Sequence, residues 1–257
     1  MRALLALLLL LPVSLCAQPA LADGGVLNGA SFTKGQPIAA GELISLFGSG
    51  LAARLAQGDS VPLSTTIDDV FVTINGVRAP LYFVSPDQIN AQVPWDVGAS
   101  GTATIVVNRG GVASAPAAVP LSAAVPGLFL VPGGTQAIAI NGDGTIAATA
   151  GSIPGLNTHP AKSGDVLVLY ATGLGPVTPD ILPGRDSVDQ LRRTVATPVV
   201  TIGGMPASVA FSGLAPQFVG VNQLNVVVPP GVSAGGSVAI EIQMAGRNHQ
   251  ASIAITQ

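Results

Sequence analysis

The chain offers few side chains for acid–base or nucleophilic work. Its only histidines are His159 and His249, and its only glutamates are Glu42 and Glu241. His159 falls in a Pro/Lys loop, and His249 in a turn between the last two predicted strands. Both read as surface loop residues rather than as a catalytic base or a metal pair. Folding can assemble a Ser-His-Asp set from any spacing. However, Phe47-Gly48-Ser49-Gly50-Leu51 lacks the leading glycine of a G-x-S-x-G nucleophile elbow, so Ser49 reads as part of a strand-end turn. The glutamates lie on or at predicted strands and read as outward positions, not as the paired carboxylates of glycoside hydrolysis. No catalytic residue is assigned.

Metal and phosphate chemistry fare no better. In a calcium-loop register with Gly144 as the central glycine, the first and twelfth ligand positions fall on Ala139 and Ala150, which have no side-chain oxygen. Asn141-Gly142-Asp143-Gly144 therefore reads as a β-turn. Asp68-Asp69 reads as a solvated strand entry that also protects an edge. Gly173-Leu174-Gly175 has Thr178 where a dinucleotide fingerprint needs its third glycine, and no P-loop lysine follows. No metal or cofactor is called for. Flat aromatic rings can stack on sugar faces, which makes Trp95 and Tyr82 the candidate ligand-binding residues. Core or inter-domain packing is the competing role for Trp95.

The elements that would position these residues are strands. Short Val/Ile/Thr-rich runs lie between Gly/Pro/Asn/Asp clusters. They cover 42–47, 70–75, 79–84, 88–94, 102–108 and 113–121 in the first half. In the second half they cover 165–171, 198–202, 207–211, 223–228, 237–244 and 250–255. Asn75-Gly76 and Gly203-Gly204 are hairpin dipeptides. Helical periodicity is confined to possible single turns at 50–57 and 187–194. Many short strands at regular spacing predict all-β sandwiches rather than a βαβ fold.

The two halves repeat one another. Gly41–Leu51 aligns with Gly164–Leu174, Val72–Gly76 with Val200–Gly204, and Gln88–Pro94 with Gln223–Pro229. Order is kept while the separation drifts from 123 to 135 residues, as loop insertions allow. Each first block ends its strand at glycines, Gly48 and Gly50 or Gly173 and Gly175, which permit a positive φ or a close backbone approach. Each third block pairs an amide with an asparagine, Gln88 with Asn90 and Gln223 with Asn225. The asparagines are expected to satisfy backbone groups at a sandwich edge or corner. The segment 126–160 contains alternating Ile138, Ile140 and Ile146 around the Asn141–Gly144 turn and reads as a hairpin of the second unit. The expected organisation is a leader over 1–22, a first sandwich over 23–125 and a second over 126–257.

Met1-Arg2, an apolar run from Ala3 to Leu15, and Ala20-Leu21-Ala22 form a secretory-signal pattern with cleavage expected after Ala22. Cys16 raises a lipoprotein alternative, although Leu15 occupies the position where a small residue is needed. No other cysteine exists, so disulfides and cysteine-ligated metals are excluded beyond the leader. The apolar run is short for a membrane span, and no run of spanning length follows it. With 9% charged residues and a net charge of −3, the chain lacks the basic footprint that nucleic acid demands. Its 48% hydrophobic content argues equally against disorder.

Together Asn28–Phe32, Gly41–Leu51, Gly76–Trp95, Pro126–Phe129, Ala171–Gly175 and Gly213–Pro229 resemble the motifs of an uncharacterised family of exported acidobacterial C-terminal domains. The likeness runs from about Gly25 to the C-terminus, with Gly29 standing where that family usually has alanine. The resemblance implies two tandem immunoglobulin-like (IPT/TIG-like) β-sandwich domains and brings no catalytic residues. The expected function is a non-enzymatic exported module with a structural, adhesive or protein-interaction role, its partner a cell-surface protein or polysaccharide. The alternative is a carbohydrate-binding module using aromatics near Trp95, and a hydrolase comes third.

Overall fold

The computed structural model describes residues 18–257. Cys16 and the apolar run of the expected leader lie outside the described residues. Among the described residues there is no helix, so the single turns expected at 50–57 and 187–194 do not form; both stretches are bends and turns ending in two-residue strands.

The first half builds β1 (Ala20–Asn28), β2 (Leu43–Ser49), β3 (Ala56–Gln57), β4 (Val70–Ile74), β5 (Val77–Arg78), β6 (Leu81–Val84), β7 (Gln88–Gln92), β8 (Thr102–Arg109), β9 (Val112–Ala113) and β10 (Ala117–Pro120). The second half builds β11 (Gly127–Leu128), β12 (Ala139–Ile140), β13 (Val166–Thr172), β14 (Val177–Thr178), β15 (Arg193–Thr194), β16 (Val199–Ile202), β17 (Met205–Leu214), β18 (Asn222–Val227), β19 (Gly235–Met244) and β20 (Arg247–Ile255).

The alternation that predicted these strands is the alternation of burial. Val70, Val72 and Ile74 of β4 point inward, as do Ala103, Ile105 and Val107 of β8, and the residues between them are more exposed. In the first sandwich, the layer β1-β2-β7-β6-β3 faces the layer β10-β8-β4-β5, with β9 paired to β8. In the second, one path runs β11-β13-β18-β17-β16-β19-β20. The long strand β17 there hydrogen-bonds to β16 near Met205–Ala207 and to β18 from Ser208 onward, with a register shift between Val209 and Phe211. In the first sandwich the same passage is split into β5 and β6 by Ala79-Pro80, because proline cannot donate to a ladder. The repeat thus appears as matching strand neighbours: β2-β7-β6 corresponds to β13-β18-β17, and β8-β4 to β19-β16.

Buried apolar residues form two clusters. One draws on residues from Val26 to Val119, the other on residues from Leu128 to Ile255. Strand β1 was not expected. Its first residues pair Ala20 with Ser49 and Leu21 with Gly48, and Leu21 packs on the first core. The cut expected after Ala22 therefore falls inside a paired strand.

Candidate functional site

Gly48 and the Gly173/Gly175 pair hold backbone contacts that a side chain would block. A Cβ on Gly48 would collide with the carbonyl of Ala20 in β1. Gly173 and Gly175 have φ of 78° and 75°, and their missing Cβ atoms would meet the carbonyls of Val125 and Ala123. Gly50, at φ 63°, turns the chain after β2. The glycines of the second repeat thus sit where the segment between the two sandwiches runs across the end of β13.

That crossing is a buried polar junction. Asn28, at the end of β1, accepts through Oδ1 from the amides of Ala30 and Ser31, at 3.0 and 2.9 Å. Its Nδ2 donates to the Val125 carbonyl at 3.0 Å and to Glu42 Oε1 at 2.9 Å. Glu42 Oε2 accepts from the Ala39 amide at 2.6 Å. The adjoining Leu43 amide donates at 2.8 Å to the hydroxyl of Thr172, which donates at 2.8 Å to the Gly220 carbonyl. Asn28, Glu42 and Thr172 are all buried. Glu42 had read as an outward strand position, but it precedes β2 and turns into the protein with no exposed surface. Burial drives its carboxyl up to about 8, outweighing the two hydrogen bonds that favour the charged form.

Trp95 and Tyr82 do not share a face. Trp95 packs its ring against Gly41, where a Cβ would overlap the indole, and its Nε1 is buried without a hydrogen bond. It lines a groove of about 420 Å³ with Val77, Asp96, Asp180 and the apolar segment Ile181–Pro183. Tyr82 instead donates its hydroxyl to the Val219 carbonyl at 2.8 Å and lines a different groove. Burial pushes that hydroxyl up to about 12.

This second groove, of about 610 Å³, lies over β2, β7 and β6, and the second sandwich contributes Phe129, Phe218 and Val221 to its wall. Ser45, Gln88 and Asn90 line it beside Phe32 and Phe83. Ser45 Oγ donates to Asn90 Oδ1 at 3.0 Å, and Gln88 Nε2 donates to the same oxygen at 2.8 Å. In the second sandwich Gln223 Nε2 donates to Asn225 Oδ1 at 2.8 Å. The asparagines therefore hydrogen-bond to side chains on the sheet surface and not to backbone groups at a corner, as had been expected. The cause is the period-2 pleat, which places Gln88 and Asn90 on one face two residues apart.

The histidines and the second glutamate are held in separate local contacts. His249 lies within β20 rather than in a turn, and its Nδ1 accepts from the Leu128 amide at 3.1 Å. Burial lowers its pKa. His159 Nε2 meets Asp143 at 2.8 Å on the surface. Hydrogen bonds from the side chain and amide of Thr145, and then from His159, hold Asp143 down to about 2. Glu241 accepts from Asn248, and Asp68 pairs with Arg54 at 2.9 Å. No group of three or more potential ligands is placed to hold a metal ion among the described residues.

Residues 30–123 match the IPT/TIG domain family. The match spans β2 to β10, so Glu42, Ser45, Gln88, Asn90 and Trp95 all lie within the matched stretch, and the wall carrying Phe129 and Phe218 lies beyond it. No curated protein matches the chain. Among solved structures it is similar to the Bacteroides ovatus mixed-linkage glucan utilization locus SGBP-B, solved with a mixed-linkage heptasaccharide. That match has 12% identity and a TM-score of 0.36, over 94% of this chain and 47% of that one. The surface glycan-binding protein PbSGBP-B from Prevotella bryantii matches at 9% identity and a TM-score of 0.24, over 92% and 40% of the two chains. Domains 5–6 of the S-layer protein SbsC match at 13% identity and a TM-score of 0.23, over 93% and 100%. The chain thus spans less than half the length of the two glycan-binding proteins.

Proposed function

We propose that the chain is an exported, non-enzymatic tandem of immunoglobulin-like sandwiches, the first from β1 to residue 125 and the second over 126–257, with a structural, adhesive or protein-interaction role at or outside the cell surface. The observation that carries this reading is the buried Asn28–Glu42–Thr172 junction. Two separate cores are tied by fully used polar groups, an arrangement suited to holding two modules at a fixed angle and not to turning over a substrate. Both histidines and both glutamates are spent on backbone contacts or local side-chain pairs. The leader would be removed at a bond upstream of Ala20, since a cut after Ala22 would strip the first three residues from β1. N-terminal sequencing of the exported form reads that bond directly.

The functional test mixes the purified leaderless chain with isolated envelopes of the producing bacterium. Co-sedimentation with no release of soluble sugar or peptide is the expected result. Steady release of either product would overturn the non-enzymatic reading.

A further inference from the structure

We propose that the groove over β2, β7 and β6 is a binding site for an uncharged polysaccharide chain, with Phe32 and Phe218 as its stacking residues and the Ser45–Asn90–Gln88 row as its polar floor. The inference rests on the surface-module reading above and names the partner class.

The first ground is the chemistry of the lining. No side chain that lines the groove is charged, although the chain as a whole carries charges of both signs. A charged ligand would give up its hydration there without a counter-charge. The polar floor is mixed and only partly used. Asn90 Oδ1 already accepts from Ser45 and Gln88, whereas Asn90 Nδ2 and Gln88 Oε1 make no hydrogen bond among the described residues. A donor and an acceptor side by side match a sugar hydroxyl, which both donates and accepts.

The second ground is the presentation of the rings. Phe32 is 48% exposed and Phe218 is 51% exposed. Neither ring is left to wander. Phe32 has φ 52°, a left-handed backbone that a bulky residue rarely adopts. Its turn is held by the Phe32 amide donating to the Asn28 carbonyl at 3.0 Å, while Asn28 also caps Ala30 and Ser31. The Phe218 loop is pinned by Tyr82 donating to the neighbouring Val219 carbonyl, and its ring meets Tyr170 edge-on at 6.3 Å. One exposed ring on a strained turn and a second on a pinned loop, both lining one groove, point to a ligand. Rings flanking hydroxyl-matching amides suit a pyranose, whose faces are C–H and whose edge is hydroxyl.

The third ground is extent. The Gln223–Asn225 pair repeats the floor in the second sandwich, on the strand next to Tyr170. A second polar pair of the same kind thus stands beside the Tyr170 ring that Phe218 meets, a repetition that suits a polymer better than a single sugar. An extended peptide is disfavoured, because β2, β7 and β6 are already paired to one another and β2 is covered by β1, which leaves the floor no free ladder edge to add a strand.

The test is native electrophoresis of the leaderless chain through gels containing hydroxyethyl cellulose, galactomannan or xyloglucan, with polygalacturonate as the charged comparison. Retardation is expected in at least one uncharged gel, unchanged by 0.5 M salt in a parallel pull-down (roughly a Debye length of a few Å), and absent in polygalacturonate. Phe218→Ala and Phe32→Asn, the latter suited to the left-handed backbone, should each weaken binding at least about fivefold. Melting curves of both variants confirm that they are folded. Free migration of the wild-type chain in every uncharged gel overturns the site, as does wild-type retardation of both folded variants. Self-association that Phe218→Ala abolishes would also overturn it and assign the face to a second copy. Loss of polymer viscosity during binding would refute the non-enzymatic reading while leaving the site in place, so the two failures are distinguishable.

Discussion

Replacing Glu42 by glutamine should flatten the pH dependence of the chain's stability. The Glu42 carboxyl is raised from 4.5 to about 8 by burial, and no charged side chain stands against it. Between those values the folded chain keeps a proton that the unfolded chain has released. Its contribution is therefore full below pH 4.5 and is lost as pH rises towards about 8. Each pH unit of that interval carries about 1.4 kcal/mol, so the loss approaches about 5 kcal/mol, a large share of ordinary domain stability. Two other groups titrate nearby with opposite signs. The raised His159 also loses stability as pH rises, whereas the lowered His249 regains it. Both survive in the variant, so the difference between the two curves isolates Glu42. Glutamine adds a constant offset, because its amide nitrogen must face either the Asn28 amide or the Ala39 N–H; the slope is what is read. Urea melts from pH 5 to pH 9 can follow Trp95, the single tryptophan, whose ring lies on Gly41 next to Glu42. Equal slopes for wild type and variant would refute the reasoning.

Thr172→Val should cost about 1–3 kcal/mol, because it removes the acceptor of the half-buried Leu43 amide and the donor to the Gly220 carbonyl; unchanged denaturant melts would contradict that. Gly173→Ala should cost more than about 2 kcal/mol, since the residue sits at a left-handed φ and the new methyl meets the Val125 carbonyl; thermal melts read it directly. Asn225→Ala should cost about 1 kcal/mol or less, as its partner Gln223 is a half-buried side chain that water can replace, and Asn90→Ala somewhat more, about 1–2 kcal/mol, because it also strips the buried Ser45 hydroxyl of its acceptor; losses of several kcal/mol would restore a backbone role. Residues 126–257 alone should give a β-type circular dichroism spectrum and a cooperative melt, and a gradual melt would show that the second core needs the first.

The strands were legible because their burial follows a period of two. The run predicted at 102–108 became β8 over Thr102–Arg109, with its inward residues where the alternation placed them. Strand β1 escaped because Ala20-Leu21-Ala22 carries the small-residue spacing of a cleavage site, and Gly24-Gly25 interrupts any alternation. Its pairing comes from the close approach that Gly48 permits, a tertiary fact. Glu42 was misread because strand alternation was extended one residue past the start of β2. The aligned Asp165 follows Gly164 and precedes β13 in the same way yet is only half-buried, so no local pattern marked Glu42 as inward. The repeated Gln-x-Asn pairs stood out, but their partner Ser45 lies on another strand. The groove joins a turn after β1, three strands of the first sandwich and the 215–221 loop of the second. No local pattern links those segments. Trp95 drew attention as a large aromatic after a proline, yet its ring found a glycine to cover, while Phe32 was held at the surface by its turn.

A module that works at the cell surface is tested most directly by proteolysis of intact producing cells, with the chain followed by antibody and a cytoplasmic protein as control. The chain should be cleaved or shed while the cytoplasmic control stays whole. A chain that is protected until the outer layers and the cytoplasmic membrane are both breached would contradict it.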